Sequence, residues 1–200
     1  EFRVFTRADG VRLVYSALSI DDFGMDTHQV YVFTPADSAL PHLFVDTAIS
    51  PNTGGTFHFG LDLAPRVDLG ASLDYLDAVY TPLTEPRAAA LAQPGILPVP
   101  SIGPLQWALR SPWMIAAIAL PADLKSLGSI TDAYVDRWLA LTRAGLSADV
   151  AAGIEWQDVV RRDRLAREAM FSARTNPVWT LLDRLVGAEP AAAMRALLVG

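Results

Sequence analysis

Short strand-like segments fill the first third of the chain and helical patterns follow them, and this order restricts the possible folds more than any other feature. The segments are rich in β-branched and aromatic residues and are bounded by turn residues. They span residues 2–6, 11–18, 29–33, 43–49 and 56–63. We therefore predict an antiparallel sheet built from the first third of the chain.

The remaining two thirds predict mainly helices. Helical spacing and caps indicate helices over residues 72–80, 84–92, 130–143, 154–172, 178–186 and 191–198. Four prolines predict a loop over residues 94–104, and the apolar run 113–120 predicts a buried strand. We interpret residues 1–200 as one α/β domain. The chain opens on Glu1 rather than Met, which leaves open a missing N-terminal part.

Composition excludes several classes of function. With 200 residues and 52% apolar content, the chain can close one sizeable core. The absence of cysteine excludes disulfides and thiolate metal sites. A formal charge of −6 argues against nucleic-acid binding, which needs a basic surface. No apolar stretch is long enough to cross a membrane, so we expect a soluble, cytoplasmic protein.

Residues 43–63 predict a hairpin whose two faces differ. Residues 50–55 have the composition of a turn, and side chains alternate along each flanking strand. His58, Gly60 and Asp62 then share a polar face, opposite an apolar face. With the turn centred near Asn52, Asp46 lies directly opposite His58.

A carboxyl group beside an imidazole suits proton transfer, because burial raises the pKa of the acid and histidine titrates near neutrality. We therefore identify Asp46 and His58 as candidate catalytic residues. Spacing alone equally describes an ion pair on an exposed sheet surface, and that alternative is the more common one. The two remaining histidines, His28 and His42, are predicted to be solvated, because no Asp or Glu accompanies them at ligand spacing.

Five of the sixteen cationic residues fall between Arg161 and Arg174. Such a run is most often a solvated helix face, but it also suits contacts with propionates or with an acidic protein. Glycine-rich phosphate loops are absent from the sequence, so no nucleotide cofactor is indicated.

Several motifs resemble, in order and spacing, those of red chlorophyll catabolite reductase and its relatives, the ferredoxin-dependent bilin reductases. The resemblance covers roughly residues 41–187. The motifs are Pro41-His-Leu-Phe-Val-Asp46, the run from Phe57 to Leu69, Leu73-Asp-Tyr-Leu76, Leu109-Arg-Ser-Pro-Trp113, Arg161-Arg-Asp-Arg164 and Leu185-Val-Gly187.

The resemblance implies a three-layer α/β/α sandwich, in which an antiparallel sheet carries helices on both faces. It further implies a ferredoxin-dependent reductase that holds an open-chain tetrapyrrole between the sheet and the C-terminal helices. No metal, flavin or other tightly bound cofactor is implied, and electrons arrive singly from reduced ferredoxin. An acidic residue of the family falls on Asp46 and a histidine of the bilin reductases falls on His58.

One position departs from the family pattern. Asn176 stands where the family has a functional Asp, and an amide cannot supply a proton. We expect Asn176 to hydrogen-bond the substrate and expect Asp62, Arg66 and Arg174 to contribute to substrate binding. The missing acid leaves two alternatives: a non-catalytic tetrapyrrole-binding protein, or an enzyme of this scaffold that acts on a different conjugated substrate.

Overall fold

The strands form one antiparallel sheet in the computed structural model, which describes residues 1–49, 54–99 and 103–200. Seven strands occur in these ranges, in the spatial order β1-β2-β3-β4-β5-β7-β6. Five of them arise from the first third of the chain, as predicted. Their bounds are β1 (Phe2–Thr6), β2 (Arg12–Ile20), β3 (Met25–Phe33), β4 (His42–Ile49), β5 (Phe57–Ala64), β6 (Ile96–Pro98) and β7 (Ile115–Ala119).

Helices occupy most of the chain after β5. Each predicted helix is present. The strand predicted over residues 113–120 is also present, as the slightly shorter β7. The predicted loop 94–104 is partly wrong, because three of its residues, Ile96–Pro98, form β6, an edge strand in which Pro98 is tolerated. The helices are α1 (Leu73–Val79), α2 (Thr84–Leu91), α3 (Pro104–Trp107), α4 (Pro121–Leu124), α5 (Gly128–Ala144), α6 (Ala148–Ala152), α7 (Trp156–Met170), α8 (Val178–Leu185) and α9 (Ala188–Val199).

Side-chain alternation divides the buried residues of the sheet into two clusters. Phe59 and Leu61 on β5 belong to a cluster that includes Trp138 on α5. Tyr31 and Phe44 point to the opposite face, where they belong to a cluster with residues of α7, α8 and α9. That second cluster includes Met170, Phe171, Trp179, Leu182, Ala191 and Leu198.

The register of the β4–β5 hairpin differs from the predicted one. Asp46 pairs with Gly60, and His58 pairs with Ala48, so Asp46 and His58 are diagonal rather than direct neighbours. Gly54 and Gly55 adopt left-handed backbone conformations beyond the assumed turn centre. The pairing is therefore shifted by two residues along β5 from the predicted one, and the assumed turn centre, Asn52, lies outside the described residues. Both side chains remain on one face of the sheet, because a shift by an even number of residues does not change the face on which a side chain lies.

A buried charge network joins β4 to α7, and it overturns the prediction that His42 is solvated. His42 is 3% exposed, and its Nε2 lies 2.6 Å from Oδ1 of Asp163. The Thr34 amide donates to Nδ1 at 3.0 Å, so the imidazole is the Nε2–H tautomer. Arg66 and Arg167 also pair with the Asp163 carboxylate, at 3.3 and 2.8 Å.

Burial lowers the pKa of His42 to about 4, although the hydrogen bond to Asp163 opposes this change. Burial alone would raise the pKa of Asp163, but the hydrogen bond from His42 and the arginine charges lower it instead. The network therefore consists of a neutral imidazole and an ionised carboxylate at ordinary pH.

Among the residues that the structure describes, no helix is long and apolar enough to span a membrane.

Candidate active site

A cavity of about 600 Å³ opens on the sheet face that carries Asp46. Its floor comes from β3, β4, β5 and β7, and its walls come from α3 and from the segment that precedes α8. The volume is within the range of small-molecule sites. The polar residues that line it are Thr27, Gln29, Tyr31, Asp46, His58, Gln106, Arg110, Arg174, Thr175 and Asn176.

The floor brings Asp46 and His58 together, as predicted, although in a diagonal arrangement. Asp46 lies between Gln29 of β3 and Gly60 of β5. Its carboxyl group covers Gly60 so closely that a Cβ atom there would lie 2.2 Å from Oδ1 of Asp46. Glycine at position 60 therefore creates the space that the carboxyl group occupies.

The Asp46 carboxyl group is partly accessible from the cavity and otherwise enclosed by protein. Burial raises its pKa, whereas the charges of Arg110 and His58 lower it. An acid whose pKa is raised by burial keeps its proton to higher pH than an exposed aspartate does, which suits it to donating a proton. Tyr31 lies beside it with a phenol whose pKa is raised by burial and by the Asp46 charge.

Arg110 is a site residue that the sequence analysis did not identify. It lies between α3 and β7, lines the cavity, and places its guanidinium 5.0 Å from the centre of the Phe44 ring. It belongs to the motif Leu109-Arg-Ser-Pro-Trp113 that carried part of the family resemblance. That motif was the available signal, but strand alternation could not show where the side chain points.

Asp62 and Arg66 lie away from the cavity, so their predicted substrate contacts are not available in this arrangement. Asp62 is 1% exposed and accepts two hydrogen bonds from Ser111. Arg66 is buried, with donors directed to the backbone of residues 35–38 and to Asp163. Buried charged groups require hydrogen-bond partners within the protein, and both side chains are occupied with such partners. We therefore infer structural roles for Asp62 and Arg66.

Arg174 and Asn176 both line the cavity, and their contacts with a substrate stay a prediction. Arg174 is exposed, and within the described ranges it forms no ion pair with a carboxylate. Oδ1 of Asn176 accepts a hydrogen bond from the Val178 amide at 3.2 Å, at the start of α8. The side-chain NH₂ of Asn176 is the group that remains to donate to a ligand.

The other arginines of the predicted cationic run are on α7 and are already paired. Arg161 lies 3.9 Å from Asp158, Arg162 lies 3.0 Å from Asp68, and Arg164 lies 3.0 Å from Glu168. They form a solvated helix face for the most part, which was one of the two predicted interpretations. No group of three metal-ligating side chains occurs among the described residues.

The whole chain superposes on phytochromobilin synthase from tomato, a structure solved in complex with biliverdin, with a TM-score of 0.71. The chain has the fold of phytochromobilin synthase. The match covers 68% of that chain at 19% identity, so the likeness to phytochromobilin synthase concerns the fold. It agrees with the predicted antiparallel sheet accompanied by helices. No protein-family model matches the sequence, and a search of curated proteins found no match.

Proposed function

We propose that this protein is a ferredoxin-dependent reductase of an open-chain tetrapyrrole, with Asp46 as a proton donor. One observation carries the proposal: a carboxyl group of raised pKa lies on the floor of a cavity, in a fold shared with an enzyme solved with biliverdin. The two core clusters on opposite sheet faces support a three-layer α/β/α arrangement. The cavity then lies between the sheet and the C-terminal helical layer.

The chemistry requires two electrons and two protons for each reduced double bond. Reduced ferredoxin supplies the electrons one at a time. Asp46, whose pKa is raised by burial, donates a proton to the substrate radical that the first electron creates. The resulting carboxylate is stabilised by Arg110 and His58. His58, diagonal to Asp46, is placed to return a proton to the carboxylate or to supply the second proton.

Substrate binding is assigned to the cavity walls. Arg110 and Arg174 offer two cations to the carboxylates of a tetrapyrrole, and guanidinium groups bind carboxylates in bidentate fashion. The Asn176 NH₂ offers a neutral donor to a pyrrole-ring carbonyl oxygen. Tyr31 contributes aromatic surface to the same cavity.

The proposal is tested by mixing the protein with biliverdin and a photoreduced ferredoxin system. We expect the pigment's absorbance to change progressively over time, and only when ferredoxin is reduced. Asp46→Asn is the matched control, because it keeps the side-chain shape and removes the acid. It should bind pigment like the parent and turn it over ~10²–10⁴-fold more slowly. Equal turnover by this variant would exclude Asp46 as the proton donor.

Asn176 favours a second candidate, a non-catalytic tetrapyrrole-binding protein. This amide faces the cavity where the family has an acid, and its oxygen is already occupied by the Val178 amide. A carrier would shift the pigment's absorbance at once on mixing and show no further change with reduced ferredoxin. No shift with any open-chain tetrapyrrole would favour a different conjugated substrate.

A further inference from the structure

Asp62 carries a buried carboxyl group for which the proposed reaction has no use. It lies on the cavity-side face of β5, two residues beyond Gly60, and pairs with Phe44 on β4. Burial raises its pKa to about 6. A carboxyl group that is buried away from both the cavity and water needs hydrogen-bond partners. Its role therefore lies in holding those partners in place.

Ser111 supplies two hydrogen bonds to this carboxyl group. Its Oγ lies 2.6 Å from Oδ1 of Asp62, and its backbone amide donates to Oδ2 at 3.2 Å. The same Oγ accepts from the Trp113 amide at 3.1 Å. Two bonds to one residue determine its orientation as well as its position, so Asp62 anchors the backbone at residue 111 to the sheet.

Arg110 is the residue next to this anchor. Its guanidinium lies 5.0 Å from the centre of the Phe44 ring, and its charge acts on both Asp46 and Asp62. Phe44 pairs with Asp62 and is two residues before Asp46 on the same face. The aromatic ring therefore supports a cation whose charge acts on both carboxyl groups.

We propose that Asp62 is a positioning residue that, through Ser111, holds Arg110 on Phe44 so that the guanidinium faces Asp46. The significance of Asp46 as an acid rests on the proposed function, but the positioning itself requires no substrate. A cation fixed at this point stabilises the carboxylate that remains after proton donation. Without the anchor, Arg110 would be free to turn towards solvent.

The proposal is tested on the ligand-free protein by ¹³C NMR titration of the Asp46 carboxyl, assigned by comparison with Asp46→Asn. Arg110→Gln should raise the Asp46 titration midpoint by about one pH unit, because a neighbouring cation is lost. Ser111→Ala should raise it in the same direction by a smaller amount. The double variant should titrate like Arg110→Gln alone, because both changes remove the same interaction.

Ser147→Ala is the matched control, since it removes a serine hydroxyl that caps α6 away from the cavity lining, and should leave the midpoint unchanged. Other charged or titratable groups also lie near the carboxyl groups of Asp46 and Asp62, and the titrations must take them into account. These groups are Arg110, His58, Tyr31, Tyr80 and Tyr134.

An unchanged midpoint in Ser111→Ala, or shifts that add in the double variant, would overturn the proposal. An unchanged midpoint in Arg110→Gln would overturn it as well. If Ser111→Ala does not fold, Ser111→Cys keeps the volume with a weaker donor and should give a smaller rise in the same direction. These titrations use no pigment or ferredoxin, so a failure of the proposed reductase activity would not alter them.

Discussion

The Asp46 carboxyl group occupies the space that a side chain at Gly60 would fill, with Oδ1 only 2.2 Å from the position of an added Cβ. The acid and the glycine on the neighbouring strand therefore form one unit. Any side chain at position 60 must displace the carboxyl group or the strand that carries it.

Gly60→Ala is expected to lower the free energy of unfolding by about 1–3 kcal/mol through overpacking, and to slow turnover because Asp46 moves. The same substitution in the Asp46→Ala background is the control. There the carboxyl group is gone, and alanine in a strand interior should be neutral or stabilising by up to about 1 kcal/mol. Chemical denaturation of the four proteins measures both changes, and equal effects in the two backgrounds would contradict the contact.

His58→Gln is expected to raise the pH at which turnover falls on the alkaline side. The His58 charge lowers the pKa of Asp46, so its removal leaves the acid protonated to higher pH. His28→Gln is the matched control, because His28 is exposed, lies on the opposite sheet face and contacts Tyr15. Superimposable pH profiles for the parent and His58→Gln would show that the two residues do not interact.

Asn176→Asp is expected to change the rate or the product isomer of bilin reduction by adding a second acid to the cavity wall. The aspartate can still accept from the Val178 amide, and a carboxylate at the start of α8 should stabilise the fold by about 0.3–1 kcal/mol. Asn176→Ala should instead cost about 0.5–2 kcal/mol. Chromatography of the products and thermal denaturation measure the two effects, and identical products at identical rates would place residue 176 outside the reacting region.

Asp163→Asn is expected to lower the free energy of unfolding by about 3–5 kcal/mol, because it leaves the buried Arg66 without its carboxylate partner. Asp158→Asn is the control on the same helix. Its ion pair with Arg161 is exposed and 3.9 Å long, so its loss should change stability by less than about 0.5 kcal/mol. Urea denaturation of both variants decides the point, and similar losses would mean that Asp163 is not in a buried network.

Asp62 and His42 are expected to make opposite contributions to stability between about pH 4 and 6.5. The raised pKa of Asp62 means that the folded state binds the proton first, so acidification from pH 6 to 4 stabilises the fold by about 2 kcal/mol. The lowered pKa of His42 means that the unfolded state binds the proton first, so acidification from pH 6.5 to 4 destabilises the fold by about 3 kcal/mol.

Asp62→Asn removes the first contribution and leaves the second. We therefore expect the variant to lose stability on acidification from pH 6.5 to 4 more steeply than the parent. Asp163, with its lowered pKa, adds to this loss only as the pH falls below about 4, where the unfolded carboxyl protonates. Parallel stability curves for the two proteins would contradict the burial of Asp62.

Much of the candidate site could be predicted from strand periodicity. Within one strand, odd-numbered and even-numbered residues point to opposite faces of the sheet, so the face follows from the residue number alone. Asp46 and His58 were assigned to one face in this way. Their exact pairing depends on the register of the hairpin, and a shift of two residues along β5 moved Asp46 from His58 to Gly60. Turn composition indicates that a turn is present, but several turn geometries suit the same residues.

Other features depend on contacts between distant parts of the chain, which periodicity does not describe. Arg110 enters the site because Ser111 binds Asp62, 49 residues earlier. His42 looked like a solvated strand-edge residue because its partner lies far away on α7. Asp163 in turn was hidden among arginines that indicate a solvated helix face.

The contact between His42 and Asp163 joins residues that are 121 positions apart, and this separation has a consequence for the order of folding events. Local hairpins close quickly, whereas contacts of long sequence separation form after most of the loop entropy has been lost. We expect the β2–β5 meander to assemble first and α7 to dock late, together with the segment 174–178 that follows it. The cavity would then be completed in one of the last steps of folding. A ligand that contacts this wall should stabilise the protein mainly by slowing its unfolding, with little effect on the refolding rate.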